Sequence, residues 1–163
     1  MRVRRDSELV QIVLVSIASA GLAIVPLVYV VGGHLRFANY PFQTWQGWLG
    51  AAIFAGALWL LHRAHKDLGR NFSVMLDIRE NHSLVTTGVY QYIRHPMYSA
   101  LLMWALAQAL LLPNWVAGPA GLVGILTLFV LRVGSEERLM IETFGDDYRH
   151  YMQRTRRIIP WVY

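Results

Sequence analysis

Residues 97–131 read MYSALLMWALAQALLLPNWVAGPAGLVGILTLFVL, 35 positions without a Lys, Arg, Asp, Glu or His. A run of that length needs an apolar solvent on its outside. It is interrupted once, at Pro113-Asn114, a pair that starts turns: proline fixes φ, and the asparagine side chain bonds nearby backbone. The expected structure is a hairpin of two helices, 97–112 and 115–131, roughly 24 and 26 Å long. Both arms fall short of the ~30 Å hydrocarbon core, so they thin the bilayer locally or stop short of a full crossing.

Two further runs lie upstream. Leu9 to Gly33 is free of charged side chains, and so is Phe37 to Leu61, whose apolar part starts near Trp45. Each is 25 residues long, enough for a spanning helix. Ala18-Ser19-Ala20 after three N-terminal arginines has the look of a signal-peptide cleavage site, but the apolar run continues well past it, so the segment reads as a span. The fold class expected is all-α: an integral membrane helical bundle of about four transmembrane helices, near 9–33, 44–61, 97–112 and 115–131. A loop and a C-terminal helix lie on one side, and residues 1–163 form one domain.

Composition agrees. Hydrophobic residues make up 55% of the 163 and charged residues 15%, against about 25% charged in soluble domains. There is no cysteine, which excludes a disulfide framework, a thiol nucleophile and thiolate metal sites. The net charge is +5. Of the 15 Lys and Arg residues, only Arg36 falls on the side of the first loop and the Pro113 turn; the rest flank the opposite side. That asymmetry puts both termini in the cytoplasm. It also removes nucleic acid as a partner, since juxtamembrane basic residues face anionic lipid head groups. Small residues recur at Ala52 and Gly56 and at Gly118, Gly121 and Gly124, the spacing of close helix contact.

Most polar residues capable of chemistry lie in residues 62–96 and in the tail after Leu131. Pro96 suits the first turn of a helix, where its missing N–H is not needed. Arg94 and His95 would then sit at a positive helix end that suits a carboxylate; contact with a lipid phosphate fits them equally well. Arg132 and Glu136 are four apart and in register to pair, with Glu137 turned about 100° away. Two carboxylates this near a bilayer suit a cationic ligand bound between the segments; an ordinary charged helix exit fits them equally well. Tyr90, Tyr92 and Tyr98 can present ring faces to a cation, for about 0.5–2 kcal/mol each. His62 and His65 have no third ligand at useful spacing, so no metal site is expected. Leu139, Met140, Phe144, Tyr148, Tyr151 and Met152 recur at helical spacing and predict an amphipathic helix.

The stretches LGRNFS (68–73), HSLVTTGVYQYIRHPMY (82–98), RVGSEERLM (132–140) and FGDDYRHYMQRTRRIIP (144–160) together resemble the isoprenylcysteine carboxyl methyltransferase family, whose relatives include membrane phospholipid N-methyltransferases. The resemblance covers about 68–160. It implies S-adenosyl-L-methionine as methyl donor, S-adenosyl-L-homocysteine as product, and a lipophilic or small-molecule acceptor, with membrane lipid as surroundings. By motif, His82, Leu84, Val85, Tyr90, His95, Pro96 and Tyr98 correspond to cofactor-site positions. Arg132 and Glu137 correspond to the junction of cofactor and acceptor. Carboxyl transfer needs no base, because a carboxylate is ionised at neutral pH. Two other readings stand beside it. An amine N-methyltransferase would need a base, for which Glu137 is the candidate. A non-catalytic protein holding anionic lipid would have no cofactor affinity.

Overall fold

A computed structural model describes residues 2–69 and 83–160. Apart from two short 3-10 turns and one π-helical stretch, regular structure there is α-helical, with isolated backbone bridges at Asn39–Asn114 and Ile93–Arg156. The first run forms α1 (Arg2–Ser19), a π-helical stretch (Ala20–Ile24) and α2 (Val25–Val30) in direct succession. Pro26 explains why the interruption needs outside help. The Val25 N–H reaches back to the Ala20 carbonyl, and Pro26 has no N–H to give. The Gly21 carbonyl takes its bond from elsewhere: Gln108 Nε2 donates to it at 3.0 Å and to the Ala117 carbonyl at 2.8 Å.

The second run is α3 (Thr44–Leu68), entered through a reciprocal cap between Gln43 and Gln46. The hairpin consists of α4 (Pro96–Leu111) and α5 (Ala120–Phe144), and α6 (Asp146–Arg154) follows. Pro96 occupies the first turn of α4, as its chemistry predicts.

Two expectations need correction. Residues 115–119 belong to the turn, so the fourth helix begins at Ala120 and runs 25 residues, well past Leu131. Arg132, Glu136 and Glu137 therefore lie within a rigid helix and not beyond its end. The tail is also not one amphipathic helix. Gly145, at φ +57°, ends α5 and lets α6 start in a new direction.

α3 packs along α4, and α5 packs against both α4 and α1. The core joins Leu14 and Ala18 to Tyr98, Ile125, Leu128, Phe129 and Val133. Close approach depends on glycine: a Cβ at Gly124 would sit 3.0 Å from the Ala18 Cα, and one at Gly21 would run into the Ala120 carbonyl. The opposite faces carry exposed Val123, Leu126, Val130, Trp59 and Leu9, side chains suited to lipid. Among the described residues, Leu9–Val30 and Thr44–Leu68 are long and apolar enough to cross a membrane; Pro96–Leu111 is apolar but shorter, about 24 Å.

The Pro113 turn is tied to the first loop. Asn114 is fully buried. Its Nδ2 donates to the Leu35 carbonyl at 2.7 Å and to Asn39 Oδ1 at 2.8 Å. Its Oδ1 accepts from the N–H groups of Val116 and Ala117 at 3.0 and 2.8 Å.

Candidate active site at the start of α4

At the other end of the hairpin, the N-terminus of α4 meets the middle of α5 in a cluster of buried charges. Arg94 Nε lies 3.0 Å from Glu137 Oε1. Arg94 Nη1 donates to the carbonyls of Met152 and Thr155 at 3.2 and 2.6 Å. His95 stands between the two carboxylates, Nδ1 at 3.5 Å from Glu136 Oε2 and Nε2 at 3.5 Å from Glu137 Oε1. Arg132 Nε is 2.8 Å from Glu136 Oε1, the i, i+4 pair its spacing predicts. Tyr98 donates its hydroxyl to the same oxygen at 3.0 Å. Its ring stacks edge-on to Phe129 and lies 5.8 Å from the His95 ring.

The residues after α6 close this cluster. They run beside the segment leading into α4: the Arg94 N–H bonds the Arg156 carbonyl at 2.7 Å, and the His95 N–H bonds the Arg157 carbonyl at 2.9 Å. Ser99 Oγ donates to the Ile158 carbonyl at 2.6 Å. This strap carries Arg157, whose Nη2 lies 2.8 Å from Glu137 Oε2. Arg157 is the outermost cation, its side chain 33% exposed, against 8% for Arg94 and 7% for Arg132.

Burial would push the Glu137 carboxyl up. The hydrogen bonds from His95 and Arg157 and the charge of Arg94 outweigh it and hold the group down at about 2. Glu137 is therefore an ionised acceptor at any physiological pH. The cluster holds three guanidiniums and two carboxylates, Glu137 included, which leaves one positive charge before His95 is counted.

The turn Gly88–Gln91 forms the near wall. Tyr90 is buried there, and its carbonyl accepts the Tyr151 hydroxyl at 2.6 Å. Burial pushes the pKa of the Tyr90, Tyr148 and Tyr151 hydroxyls up, so all three stay protonated. Next to the charges lies an apolar cleft of about 660 Å³ between α3, α4 and the strap, lined by Trp59, Val89, Tyr92, Leu102, Leu106 and Ile158 among others.

Of the residues expected from sequence, Arg94, His95, Pro96, Tyr98, Arg132, Glu136 and Glu137 come together here. Tyr90 is adjacent, while Leu84 and Val85 lie half-buried in the extended segment before the turn. Tyr92 faces the apolar cleft instead of the charges. His82 lies outside the described residues. Arg94 is engaged by a carboxylate and two carbonyls, which makes it a brace of the cluster more than an open anion ligand. Arg157, Ser99, Thr155 and Tyr151 were not expected. Thr155-Arg156-Arg157 falls within the 144–160 stretch of the resemblance, but its place in the site depends on a strand-like pairing that helical periodicity does not reveal.

The model of the isoprenylcysteine carboxyl methyltransferase (ICMT) family matches residues 48–142, more than half of the chain and including every charged residue of the cluster except Arg157. The chain belongs to that family. Protein-S-isoprenylcysteine O-methyltransferase B of Arabidopsis thaliana is 38% identical over 96 residues, covering 58% of this chain and 49% of the relative. The Schizosaccharomyces pombe protein-S-isoprenylcysteine O-methyltransferase is 33% identical over 126 residues, 76% of this chain and 53% of its own. The structure of the eukaryotic intramembrane Ras methyltransferase ICMT superposes with a TM-score of 0.66 and 26% identity over 90% of this chain and 52% of that one. The chain thus spans about half the length of the ICMT relatives it matches, and like them it is a multi-pass integral membrane protein.

Proposed function

We propose that this ICMT-family chain is an S-adenosylmethionine-dependent methyltransferase that esterifies the carboxylate of a lipophilic acceptor, a prenylated cysteine being the acceptor class its relatives' names give. The reading extends to a single domain with four membrane crossings and cytoplasmic termini, supported by the placement of fourteen of fifteen basic residues.

The residues present fit the methyl donor. Glu136 suits its ammonium group, the positive end of α4 with His95 and Arg157 suits its carboxylate, and the rings of Tyr98 and Tyr90 suit a sulfonium. Leu84 and Val85, half-buried just before that turn, are the apolar residues the family motif assigns to the donor. When bound, the donor supplies an electrophilic methyl group on sulfur. The chain's own part is to align and to exclude water. The surplus positive charge of the cluster draws an acceptor carboxylate, and Arg132, buried and locked to Glu136, sets the direction in which it is held. The apolar cleft takes the hydrocarbon chain, and the strap shields both from solvent.

One observation carries the choice of nucleophile. A carboxyl held at about 2 and paired with Arg94 and Arg157 is a poor proton acceptor, so Glu137 is unsuited to deprotonate an amine. A carboxylate acceptor needs no such step. The test supplies purified protein with radiolabelled donor and, separately, N-acetyl-S-farnesylcysteine or phosphatidylethanolamine vesicles. Base-labile methyl on the first is the expected result. Transfer only to the second would overturn the carboxylate reading, and transfer to neither together with no S-adenosylhomocysteine binding would overturn the enzyme reading.

A further inference from the structure

α3 ends with an acidic residue where helices disfavour one. Asp67 sits in the last turn of Thr44–Leu68, at the negative end of the helix dipole. A carboxylate there is repelled by the helix end, and aspartate is a poor helix former besides. Its carboxylate is offset by a partner 22 residues on: Oδ2 accepts the Val89 N–H at 2.9 Å. Arg63, one turn earlier, comes only to 3.9 Å and is half-exposed, too weak to hold the group alone.

The fit on the other side is as specific. Gly88 has φ +63°, and a Cβ there would collide with the Asp67 carboxylate. The carboxylate therefore rests against bare backbone. It fixes the first two residues of the Gly88–Gln91 turn to the end of a membrane helix. That turn places Val89 in the wall of the apolar cleft and buries Tyr90, whose carbonyl is tied to Tyr151 from the far side. Four residues later the chain reaches Arg94 and the charge cluster. The nearness of the Asp67 charge also adds to the upward shift that burial imposes on the Tyr90 hydroxyl.

We infer that Asp67 is a positioning residue: its bond to the Val89 N–H, made across the side chain–free face of Gly88, holds the 88–91 turn where it forms the cofactor wall of the site. The inference rests on the cofactor reading above. It assigns Asp67 no contact with cofactor or acceptor.

The test is isothermal titration of S-adenosylhomocysteine into detergent-purified full-length protein, with kinetics on the farnesylcysteine acceptor. Asp67→Ala is expected to weaken binding at least tenfold and to raise the donor KM in proportion while kcat stays within about threefold. Asp67→Asn keeps a carbonyl oxygen that can accept from Val89, and its affinity is expected to stay within threefold of wild type. Wild-type affinity in Asp67→Ala would overturn the inference, as would an equal loss in Asp67→Asn. If Asp67→Ala does not fold, Gly88→Ala presses on the same contact with Asp67 intact and is held to the same tenfold loss, and wild-type affinity there overturns the inference too. A wild-type protein that binds no S-adenosylhomocysteine strikes at the cofactor reading itself, which separates the two failures.

Discussion

Arg94 and Glu137, 43 residues apart, meet at 3.0 Å with both side chains more than nine-tenths buried. The pair binds the start of α4 to the middle of α5, and Arg94 extends the link to the end of α6 through the Met152 and Thr155 carbonyls. Removing Arg94 leaves a buried carboxylate short of one counter-charge and two carbonyls without a donor. Arg94→Ala is expected to destabilise the protein by about 3–5 kcal/mol, read as a lower unfolding temperature in detergent. Arg157→Ala removes a more exposed partner and is expected to cost roughly 1 kcal/mol or less, while weakening S-adenosylhomocysteine binding. An equal drop in unfolding temperature for the two variants would contradict this division of roles.

The depressed Glu137 carboxyl makes stability depend on pH with a fixed sign. The group sits at about 2 in the folded protein and at its ordinary 4.5 when unfolded. Its contribution is fully present above about 4.5 and fades as pH falls from there through 2, because the unfolded chain takes up the proton first. Unfolding temperature followed from pH 7 to pH 3 is expected to fall steeply below 4.5, and Glu137→Gln to flatten that limb. A wild-type profile level down to pH 3 would remove the argument against Glu137 as a base.

Asn114 satisfies four partners from a fully buried position at the far end of the hairpin. Asn114→Ala strands the N–H groups of Val116 and Ala117, at about 1–3 kcal/mol for each group left dry, and leaves the Leu35 carbonyl only its bond from the Ala38 N–H. The expected result is a large fall in unfolding temperature with unchanged donor affinity below the transition, measured by calorimetry and titration on one preparation. A loss of donor affinity without loss of stability would show that the two ends of the bundle are coupled.

The apolar cleft predicts a separation of acceptor from donor. Leu106→Trp adds bulk to a wall remote from the charges. It is expected to raise the KM for a farnesylated acceptor tenfold or more and to leave S-adenosylhomocysteine affinity unchanged. An unaltered acceptor KM would place the hydrocarbon chain elsewhere.

Much of this is legible in the sequence alone. Long uncharged runs have few solutions in water, so the helical membrane bundle followed from residues 9–33 and 97–131. Pro96 marked a helix start, and the Arg132–Glu136 spacing marked a pair, because both are local rules. What escaped was set by tertiary geometry. The 115–119 stretch is as apolar as a helix, yet Asn114 captures its N–H groups and holds it as a turn. The break at Gly145 interrupts a periodicity that continues on both sides of it. Asp67 and Arg157 gave no signal as single charges, since each is defined by a partner 20 or more residues away.

The strap after α6 sets two unlike neighbours side by side: Arg157 turns to the carboxylates and Ile158 to the greasy cleft. Backbone bonds at Arg156 and Arg157 fix which residue faces which way. Deleting Thr155, the one residue between Arg154 and Arg156, would slide the aliphatic Ile158 into the ionic nest and turn the Arg157 guanidinium away from Glu137. The count of residues between α6 and Ile158 is thus a frame, and the polar and oily halves of the molecule stay in step only while that frame is kept.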